Sequence, residues 1–401
     1  MRRIIAVFAV TLACIACAVL CSGCNREKNA TLTLWCAEMD KEIITSMVSE
    51  FLLANPSVKG VQIEICEDDQ TREKLEENLE NAADVICVPH DQLGALVYKE
   101  RLQEITEDIY IESISKNTEL SIKAGQNDNR QYGFPSSFET QMLFYDRTII
   151  SDQAARTLEG IVSSAIPEGA VPFGMDFANA YYTANWFYMY GCMLFGENGD
   201  EKGLCDFDNE CGIAAMTYLI ENRESFGNMN GETATELFRE HKLGSYIGGP
   251  WNAAAITDAL KGNYGCTKLP DAGERKMKSF AGFKLYCVNS NTKYRKAAMD
   301  LAAWLTTPAN QKMRFQERNL IPVALSLADD VDVAVSTTAK AVIAQGAYAI
   351  AMPSIPEMTN FWVPVGDFTL ACYNGEVSIP DLPAKLSELT AIIKGYDADD
   401  E

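Results

Sequence analysis

The chain has 401 residues, of which 47% are hydrophobic and 22% are charged, a composition typical of globular domains. Lys and Arg number 34 against 56 Asp and Glu, so the formal net charge at pH 7 is −22. This acidity repels phosphate backbones, so no nucleic-acid partner is expected. A solvated acidic surface is the simplest explanation of the charge, and the alternative is an acidic cleft for a cationic solute.

The first residues have the pattern of an export signal. Arg2 and Arg3 precede an apolar run over residues 4–20, and small residues follow it. The run is shorter than the roughly 20 apolar residues that a membrane span needs. The pattern therefore predicts export rather than a membrane-spanning helix.

A candidate lipid-attachment motif follows this run. Ser22 and Gly23 directly before Cys24 resemble the bacterial lipoprotein box, with Cys21 at the position that usually holds Leu. The resemblance implies cleavage before Cys24 and attachment of diacylglycerol to it. We therefore expect residues 1–23 to be a signal peptide, and the mature chain to be exported and anchored by lipid to the outer face of the bacterial cell membrane.

Cysteine and histidine usage offers little for metal or catalytic chemistry. Nine cysteines follow Cys24, and their odd number and irregular spacing do not match a disulfide framework. Cys205 and Cys211 are the one plausible local bridge. The two histidines, His90 and His241, leave little for a metal site or a Ser-His-Asp triad. We predict no metal, no cofactor and no catalytic residue.

Strands and helices alternate over the first part of the mature chain. Period-two and buried apolar patterns predict strands over residues 31–36, 61–66 and 83–88. Helices are predicted to begin at Asp40, ending at Asn55-Pro56, and to run over residues 68–81. This order is typical of a parallel α/β sheet.

Two carboxylates in this part are candidates for ligand binding. Asp91 follows the third predicted strand, and loops at strand ends are where α/β proteins place ligands. Glu139 lies between two apolar stretches, which favours a carboxylate presented into a cleft. The alternative for Glu139 is a salt-bridged residue at a strand edge.

Aromatic residues dominate the candidates further along. Asn179 begins a predicted helix rich in aromatic residues. Residues 245–251 are predicted as a short strand that breaks at Gly248-Gly249-Pro250, because Gly permits unusual backbone angles and Pro fixes one. The break delivers Trp251 to a strand end, where a flat indole can support the apolar face of a sugar ring. The alternative is that Trp251 is a core aromatic.

The last third of the chain contains further predicted elements. A strand is predicted over residues 281–288, with helices over residues 295–305 and 382–393. Thr307 is predicted to cap another helix, with Pro308 at its first position. Residues 353–362 are rich in Pro and are predicted to form an exposed loop that carries Trp362.

Taken together, these runs resemble the extracellular solute-binding proteins of ABC importers, closest to the maltose/maltodextrin-binding type. The similarity extends over nearly all of the mature chain and rests on these runs, in the family's order: Ala83-Asp84-Val85-Ile86 with His90-Asp91, Leu102-Gln103-Glu104-Ile105-Thr106, Phe134-Pro135 through Glu139, Gly248-Gly249-Pro250-Trp251, Asn263-Tyr264-Gly265, Thr306-Thr307-Pro308-Ala309-Asn310-Gln311, and Met352 through Met358 with Phe361-Trp362.

The resemblance implies an α/β, two-lobed periplasmic-binding-protein fold (type II), with a ligand cleft between the lobes. It places the hinge crossings near Ser137, Tyr286 and Asp330, and the lobes close on ligand by hinge motion. The implied N-terminal lobe comprises residues 24–137 with 286–330, and the implied C-terminal lobe comprises residues 138–285 with 331–401.

The resemblance also implies a sugar site, residue by residue. Carboxylates accept hydrogen bonds from sugar hydroxyls, and aromatic rings cover the apolar faces of the sugar. The implied ligand-binding residues are Asp40, Lys41, Asp91, Glu139, Asn179, Tyr181, Trp251 and Trp362.

Several positions depart from the family pattern. Val88 replaces an indole, Gln92 an arginine and Val363 a tyrosine, while Gly366 stands near the place of another arginine. Asn179 stands where the family has Glu. These changes reduce stacking area and positively charged donors, so the resemblance implies a carbohydrate ligand more firmly than it implies maltodextrin.

The sequence therefore predicts a lipid-anchored, monomeric substrate-binding protein of an ABC transporter. It would bind an oligosaccharide, maltodextrin-like or another, deliver it to the transmembrane permease subunits, and catalyse nothing. One alternative is a binder of a cationic solute such as a polyamine. The other is a glycosidase that uses Asp91 and Glu139 as paired carboxylates.

Overall fold

The structure of the protein is a computed structural model that describes residues 29–68, 70–196 and 199–395. The predicted signal peptide over residues 1–23 and the predicted lipid site at Cys24 lie outside the described residues. Within the described part of the chain, no helix is both long and apolar enough to cross a membrane.

Strands and helices alternate along much of the chain. The strands are β1 Ala30–Cys36, β2 Val58–Ile65, β3 Val85–Pro89, β4 Gln126–Asn127, β5 Arg130–Gln131, β6 Gly133–Glu139, β7 Met142–Asp146, β8 Val171–Met175, β9 Phe226–Asn228, β10 Leu243–Gly248, β11 Tyr264–Thr267, β12 Ser279–Val288 and β13 Ala349–Ala351. The α-helices are α1 Lys41–Ala54, α2 Thr71–Glu77, α3 Leu93–Tyr98, α4 Asp108–Ile114, α5 Glu119–Ala124, α6 Leu158–Val162, α7 Ala180–Met189, α8 Glu210–Asn222, α9 Gly231–Arg239, α10 Ala253–Ala259, α11 Arg295–Leu305, α12 Pro308–Arg318, α13 Val331–Val335, α14 Thr337–Gly346, α15 Trp362–Asn374 and α16 Leu382–Lys394.

The first sheet has the strand order β13-β12-β3-β1-β2, and β6 also pairs with β12. Strands β1, β2 and β3 are parallel, whereas β12 is antiparallel to β3. Parallel strands are covered on both faces and are therefore strongly apolar. Leu32 and Leu34 of β1 are fully buried, and Phe51 of α1 and Leu301 of α11 belong to the same core. This sheet with its helices is called the first lobe below.

The second sheet has the strand order β11-β7-β10-β8-β9. Strands β8, β9 and β10 are parallel, while β7 runs antiparallel to both β10 and β11. Its main core is aromatic: Phe187 of α7 stacks on Phe207 with ring centroids 4.0 Å apart, and Phe177 stacks on Tyr373 at 4.6 Å. This sheet with its helices is called the second lobe, and the chain therefore has a two-lobed α/β fold.

Two antiparallel strands connect the lobes. Strand β6 pairs with β12 from Gly133 to Glu139, and only two residues separate β6 from β7 of the second sheet. The hinge positions expected near Ser137 and Tyr286 lie inside β6 and β12. The residue boundaries of the two lobes stay a prediction.

Most of the predicted elements are present, with local differences. Helix α11 has the predicted bounds, Arg295–Leu305. The predicted helix over residues 68–81 is interrupted, because Asn78 leaves the helical region with φ −153° and ψ 77°. Helix α12 begins at Pro308 as predicted, but the Thr307 hydroxyl donates to the Trp304 carbonyl instead of capping the helix.

The predicted loop around Trp362 is wrong, because Trp362 is the first residue of α15. A 3-10 turn over Pro356–Asn360 leads almost directly into this helix. Pro364 lies in the first turn, where a backbone N–H has no helical acceptor, so a proline is tolerated there. Proline content alone therefore does not distinguish a helix start from a loop.

The predicted bridge between Cys205 and Cys211 is also wrong. The disulfide joins Cys192 to Cys211, whose Cα atoms are 5.8 Å apart, and Cys205 is a buried free cysteine. Helix α7 packs against α8, and this packing brings Cys192, three residues after the end of α7, close to the first turn of α8. Cys205 instead lies opposite Leu194 in an isolated β-bridge. The spacing of the cysteines along the sequence does not reveal how these two helices pack.

Candidate ligand-binding cleft

A cavity of about 620 Å³ lies between the two lobes. Its volume falls within the range of about 300–1,000 Å³ that is usual for small-molecule sites. Lys41 does not line it, because its exposed side chain lies on α1 with Nζ 4.0 Å from Oε1 of Glu38. The other seven residues expected to bind ligand all line this cavity: Asp40, Asp91, Glu139, Asn179, Tyr181, Trp251 and Trp362. Their role in binding stays a prediction.

Three carboxylates reach the cavity from the ends of strands. Asp40 ends the 3-10 turn after β1, Asp91 lies in the turn after β3, and Glu139 is the last residue of β6. Strands β1 and β3 are parallel neighbours, so their carboxyl ends open at the same edge of the sheet, where α/β proteins bind ligands. The sheet topology thus places hydrogen-bond acceptors along one wall of the cavity.

Two of these carboxylates, Asp40 and Glu139, have a cation nearby. Nη1 of Arg318 donates to Oδ1 of Asp40 at 2.7 Å. Nζ of Lys284 lies 2.9 Å from Oδ2 of Asp68 and 3.7 Å from Oε1 of Glu139. Glu139 therefore lines the cavity and also faces a cation, so the two sequence-based interpretations of this residue are compatible.

Burial and nearby cations act in opposite directions on the acids. Burial raises the pKa of Asp91 from 3.8 to about 6, and the charge of Lys284 opposes this shift. Burial also raises the pKa of Asp40, against Arg318, and the pKa of Glu139, against Lys284. These acids lack the solvation that would keep them ionised at low cost, so donors from a ligand would stabilise their charged forms.

The contribution of Asp91 to stability is expected to depend on pH. Its pKa is about 6 in the folded protein against an ordinary value of 3.8, so the folded protein binds more protons than the unfolded chain between these pH values. The contribution to the free energy of unfolding is therefore highest below about pH 4 and falls by at most about 3 kcal/mol as the pH rises through about 6. Urea denaturation of the wild type and of Asp91→Asn measures this, and equal slopes with pH in the two proteins would contradict it.

The second lobe contributes aromatic side chains to the cavity lining. Trp251 lies in the turn after β10, Tyr181 in the first turn of α7, and Trp362 at the start of α15. The ring centroids of Tyr181 and Trp251 are 6.1 Å apart, and Trp362 meets Phe280 edge-on at 5.9 Å. Trp251 is half-buried and packs on the second-lobe core while it lines the cavity. Trp251 is therefore partly a core aromatic, and it also offers a ring surface to a ligand in the cavity.

Some polar groups at the cavity lack a partner. Within the described residues, the hydroxyls of Tyr181 and Ser137 are buried without a hydrogen bond. An unpaired buried polar group costs free energy, so both hydroxyls would gain from a ligand that carries hydroxyl groups. The side-chain oxygen Oδ1 of Asn179 accepts a hydrogen bond from the Tyr181 N–H at 3.0 Å and caps α7, which leaves the side-chain NH₂ as the group available to a ligand.

Gly249 provides space for the indole of Trp251. Its φ of −136° and ψ of 179° are open to any residue, so the backbone does not require glycine here, unlike the sequence-based expectation. A Cβ at this position would instead lie 2.2 Å from Cη2 of Trp251. We expect Gly249→Ala to displace the indole and to weaken ligand binding several-fold.

The control for that substitution is Gly60→Ala. A Cβ at Gly60 meets nothing within 4 Å, and this residue does not line the cavity. Calorimetric titration with the ligand compares the two variants. Equal affinities would show that Gly249 does not position the indole.

The positions that depart from the family pattern have different surroundings. Val88 is fully buried in a first-lobe core cluster, and Val363 is 69% exposed. Gln92 lines the cavity. Gly366 packs against the loop before α7, where a Cβ would lie 2.2 Å from the carbonyl oxygen of Ala178. A long side chain at residue 366 would therefore not fit here.

The sequence-based reasoning missed the cations of the cavity, which are Arg72, Lys284, Arg314 and Arg318. Lys284 is the one with a local signal, because it is the single charged residue in the apolar strand β12. The two α12 arginines are one helical turn apart, and nothing local shows that they point to a cavity. These four side chains lie on α2, β12 and α12, so the positive charge of the cavity does not come from residues 92 and 366, where the family resemblance places arginines.

Comparison with known proteins agrees with this geometry. A family model described as bacterial extracellular solute-binding protein matches residues 46–344. The galactooligosaccharide-binding protein of Bacillus subtilis is 29% identical over 363 residues, covering 86% of this chain and 84% of that protein. The maltodextrin-binding protein MdxE of the same organism is 27% identical over 371 residues, covering 85% and 86% respectively.

A solved structure has the same architecture. The maltodextrin binding protein MalE1 from L. casei BL23, determined without ligand, aligns with a TM-score of 0.81 at 21% identity. The alignment covers 91% of this chain and 99% of that one. At this identity the likeness establishes the two-lobed fold and leaves the ligand to be argued from the cavity.

Proposed function

The chain belongs to the family of bacterial extracellular solute-binding proteins, and from this we propose that it binds an oligosaccharide between its two lobes and delivers it to the permease of an ABC importer. The observation that carries the proposal is the cavity itself. The aromatic side chains of Trp251, Tyr181 and Trp362 line the same cavity as Asp40 and the other strand-end carboxylates. A sugar ring has apolar faces and a rim of hydroxyls, and this arrangement provides a partner for each.

The charges of the cavity favour an uncharged ligand. Its lining contains five carboxylates and four cations, so the strong net charge of the chain is not concentrated there. This observation argues against the polyamine alternative. The glycosidase alternative has no support from the relatives, whose names describe binding proteins.

The identity of the sugar follows from the relatives only as a class. One is named for galactooligosaccharides and another for maltodextrin, at similar levels of identity. We propose an oligosaccharide that is maltodextrin-like or of another linkage, bound by the seven predicted residues that line the cavity. Ser137 and Lys284, which the sequence-based prediction did not include, are added to this set.

We also propose how the protein is held at the cell surface. Diacylglycerol on Cys24 would anchor a monomer to the outer face of the bacterial membrane, after removal of residues 1–23. Relatives from Streptococcus pneumoniae are named solute-binding lipoproteins of a maltooligosaccharide ABC transporter, which supports this arrangement.

A thermal-shift screen of the protein without its signal segment tests the proposed function. The panel contains maltotriose, longer maltodextrins, galactooligosaccharides and spermidine. A ligand that binds only the folded state adds about 2.7 kcal/mol of stability at a hundredfold excess over its Kd. Stabilisation by at least one oligosaccharide supports the proposal, and stabilisation by spermidine alone would replace it with the cationic alternative.

A further inference from the structure

Lys284 occupies an unusual place for a charged residue. Strand β12 connects the two sheets, and the backbone of Lys284 pairs with Pro89 of β3 on one side and with Ser137 of β6 on the other. Its neighbours Phe283 and Leu285 are buried, whereas its own side chain lines the cavity and is 19% exposed. The ammonium group is therefore held at the cavity by a strand that is paired on both sides.

The ammonium group serves several carboxylates at once. Nζ lies 2.9 Å from Asp68 and 3.7 Å from Glu139, and its charge opposes the rise in pKa that burial causes at Asp91 and Asp40. Burial alone would lower the pKa of Lys284, but Asp68 and Glu139 outweigh burial and keep it well above its ordinary value. Lys284 is thus ionised and acts as the shared counter-ion of Asp68, Asp91 and Glu139.

The other cations of the cavity have other partners or form no ion pair with Asp68 and Glu139, although the charge of Arg72 also favours ionised Asp91. Arg318 is paired with Asp40. Arg314 is 2% exposed and donates to the Tyr286 hydroxyl and to a backbone carbonyl. Arg72 has no ion pair with Asp68 or Glu139 among the pairs of the described residues. Without Lys284, Asp68, Asp91 and Glu139 would share one cavity with no ammonium between them.

We propose that Lys284 is a specificity-determining residue, whose ammonium group occupies the place of a cationic ligand and so reserves the cleft for uncharged, hydroxyl-rich ligands. A solute with an amino group would have to displace a resident ammonium that is already paired with Asp68. An uncharged sugar needs no such displacement, because it donates hydroxyl groups to carboxylates that Lys284 keeps ionised. This inference deepens the proposed function and rests on it for the sugar, but the exclusion of cations can be measured without knowing the sugar.

The test compares Lys284→Met with the wild type in spermidine binding, measured by calorimetry near pH 8 at low salt. The substitution keeps the length of the side chain and removes its charge, leaving three carboxylates without their counter-ion. We expect spermidine affinity to rise by at least about tenfold and to weaken as salt is added, because the gain is electrostatic. Affinity for the oligosaccharide bound by the wild type should fall at least about tenfold.

Lys312→Met is the matched control. Nζ of Lys312 also lies near two carboxylates, at 2.7 Å from Asp330 and 3.3 Å from Asp332, but the residue does not line the cavity. We expect it to change neither spermidine nor sugar binding. Lys284→Arg keeps the charge and should continue to exclude spermidine.

The outcomes separate this inference from the proposed function. If the wild type binds no oligosaccharide, the proposed function fails, and a gain of spermidine binding in Lys284→Met still supports the exclusion of cations. If Lys284→Met does not fold, Lys284→Gln, whose amide can still donate to Asp68, is measured in its place with the same expected gain. A folded variant that does not bind spermidine would overturn the inference. A wild type that binds spermidine as tightly as the variant would also overturn it.

Discussion

Replacing Trp251 with alanine is expected to weaken oligosaccharide binding at least tenfold and to leave the protein folded. The indole lies at the end of β10 and lines the cavity, so the substitution removes one stacking face from the ligand. Stacking contributes on the order of 1 kcal/mol beyond the burial of the ring, and the two together exceed the 1.4 kcal/mol that corresponds to about tenfold. The fold should persist because Trp251 is only half-buried at the margin of the second-lobe core.

Trp304→Phe is the control for this substitution. Trp304 lies on α11 away from the cavity, where its indole N–H donates to the Met47 carbonyl at 2.9 Å. We expect this variant to lose stability and to keep its affinity for the ligand. Calorimetry measures the affinity for the ligand, and urea denaturation measures the stability. Wild-type affinity in Trp251→Ala would mean that Trp251 has only a structural role.

Replacing Cys24 with alanine is expected to release the protein from the membrane almost completely. If diacylglycerol on Cys24 is the anchor, its loss removes the acyl chains that hold the protein in the bilayer. Cys21→Ala is the matched control, because this neighbouring cysteine should not carry the lipid. Fractionation of cells into membrane and soluble parts measures the effect, and a Cys24→Ala variant that stays with the membrane would refute the lipoprotein assignment.

The elements near the cavity could be predicted from the sequence where the signal is local. The sequence predicts that residues 245–251 form a strand that ends in a sharp break, and β10 with its following turn confirms this. The aromatic helix expected after Asn179 is α7, with Asn179 as its cap. In both cases the apolar pattern and the breaking residues lie within a few positions of each other, so the backbone preference is set locally.

The features that were missed depend on contacts between distant segments. The pairing of Lys284 with Asp68 joins β12 to the loop after β2, and no property of either segment alone reveals it. Likewise, the partner of Cys211 is decided by the packing of α7 on α8, which makes Cys192 nearer than Cys205. Seven of the eight residues carried over from the family resemblance line the cavity, but the cations that balance them came only from the structure.

Tryptophan fluorescence tests the central claim, that the cleft binds an oligosaccharide, most directly. The chain has five Trp residues, of which Trp251 and Trp362 line the cavity, while Trp35 and Trp186 are buried elsewhere and Trp304 lies on α11. Titration with an oligosaccharide is expected to give a saturable change in emission that disappears in the double variant Trp251→Phe with Trp362→Phe. A change of the same size in the double variant, or no saturable change with any oligosaccharide, would contradict binding in this cleft.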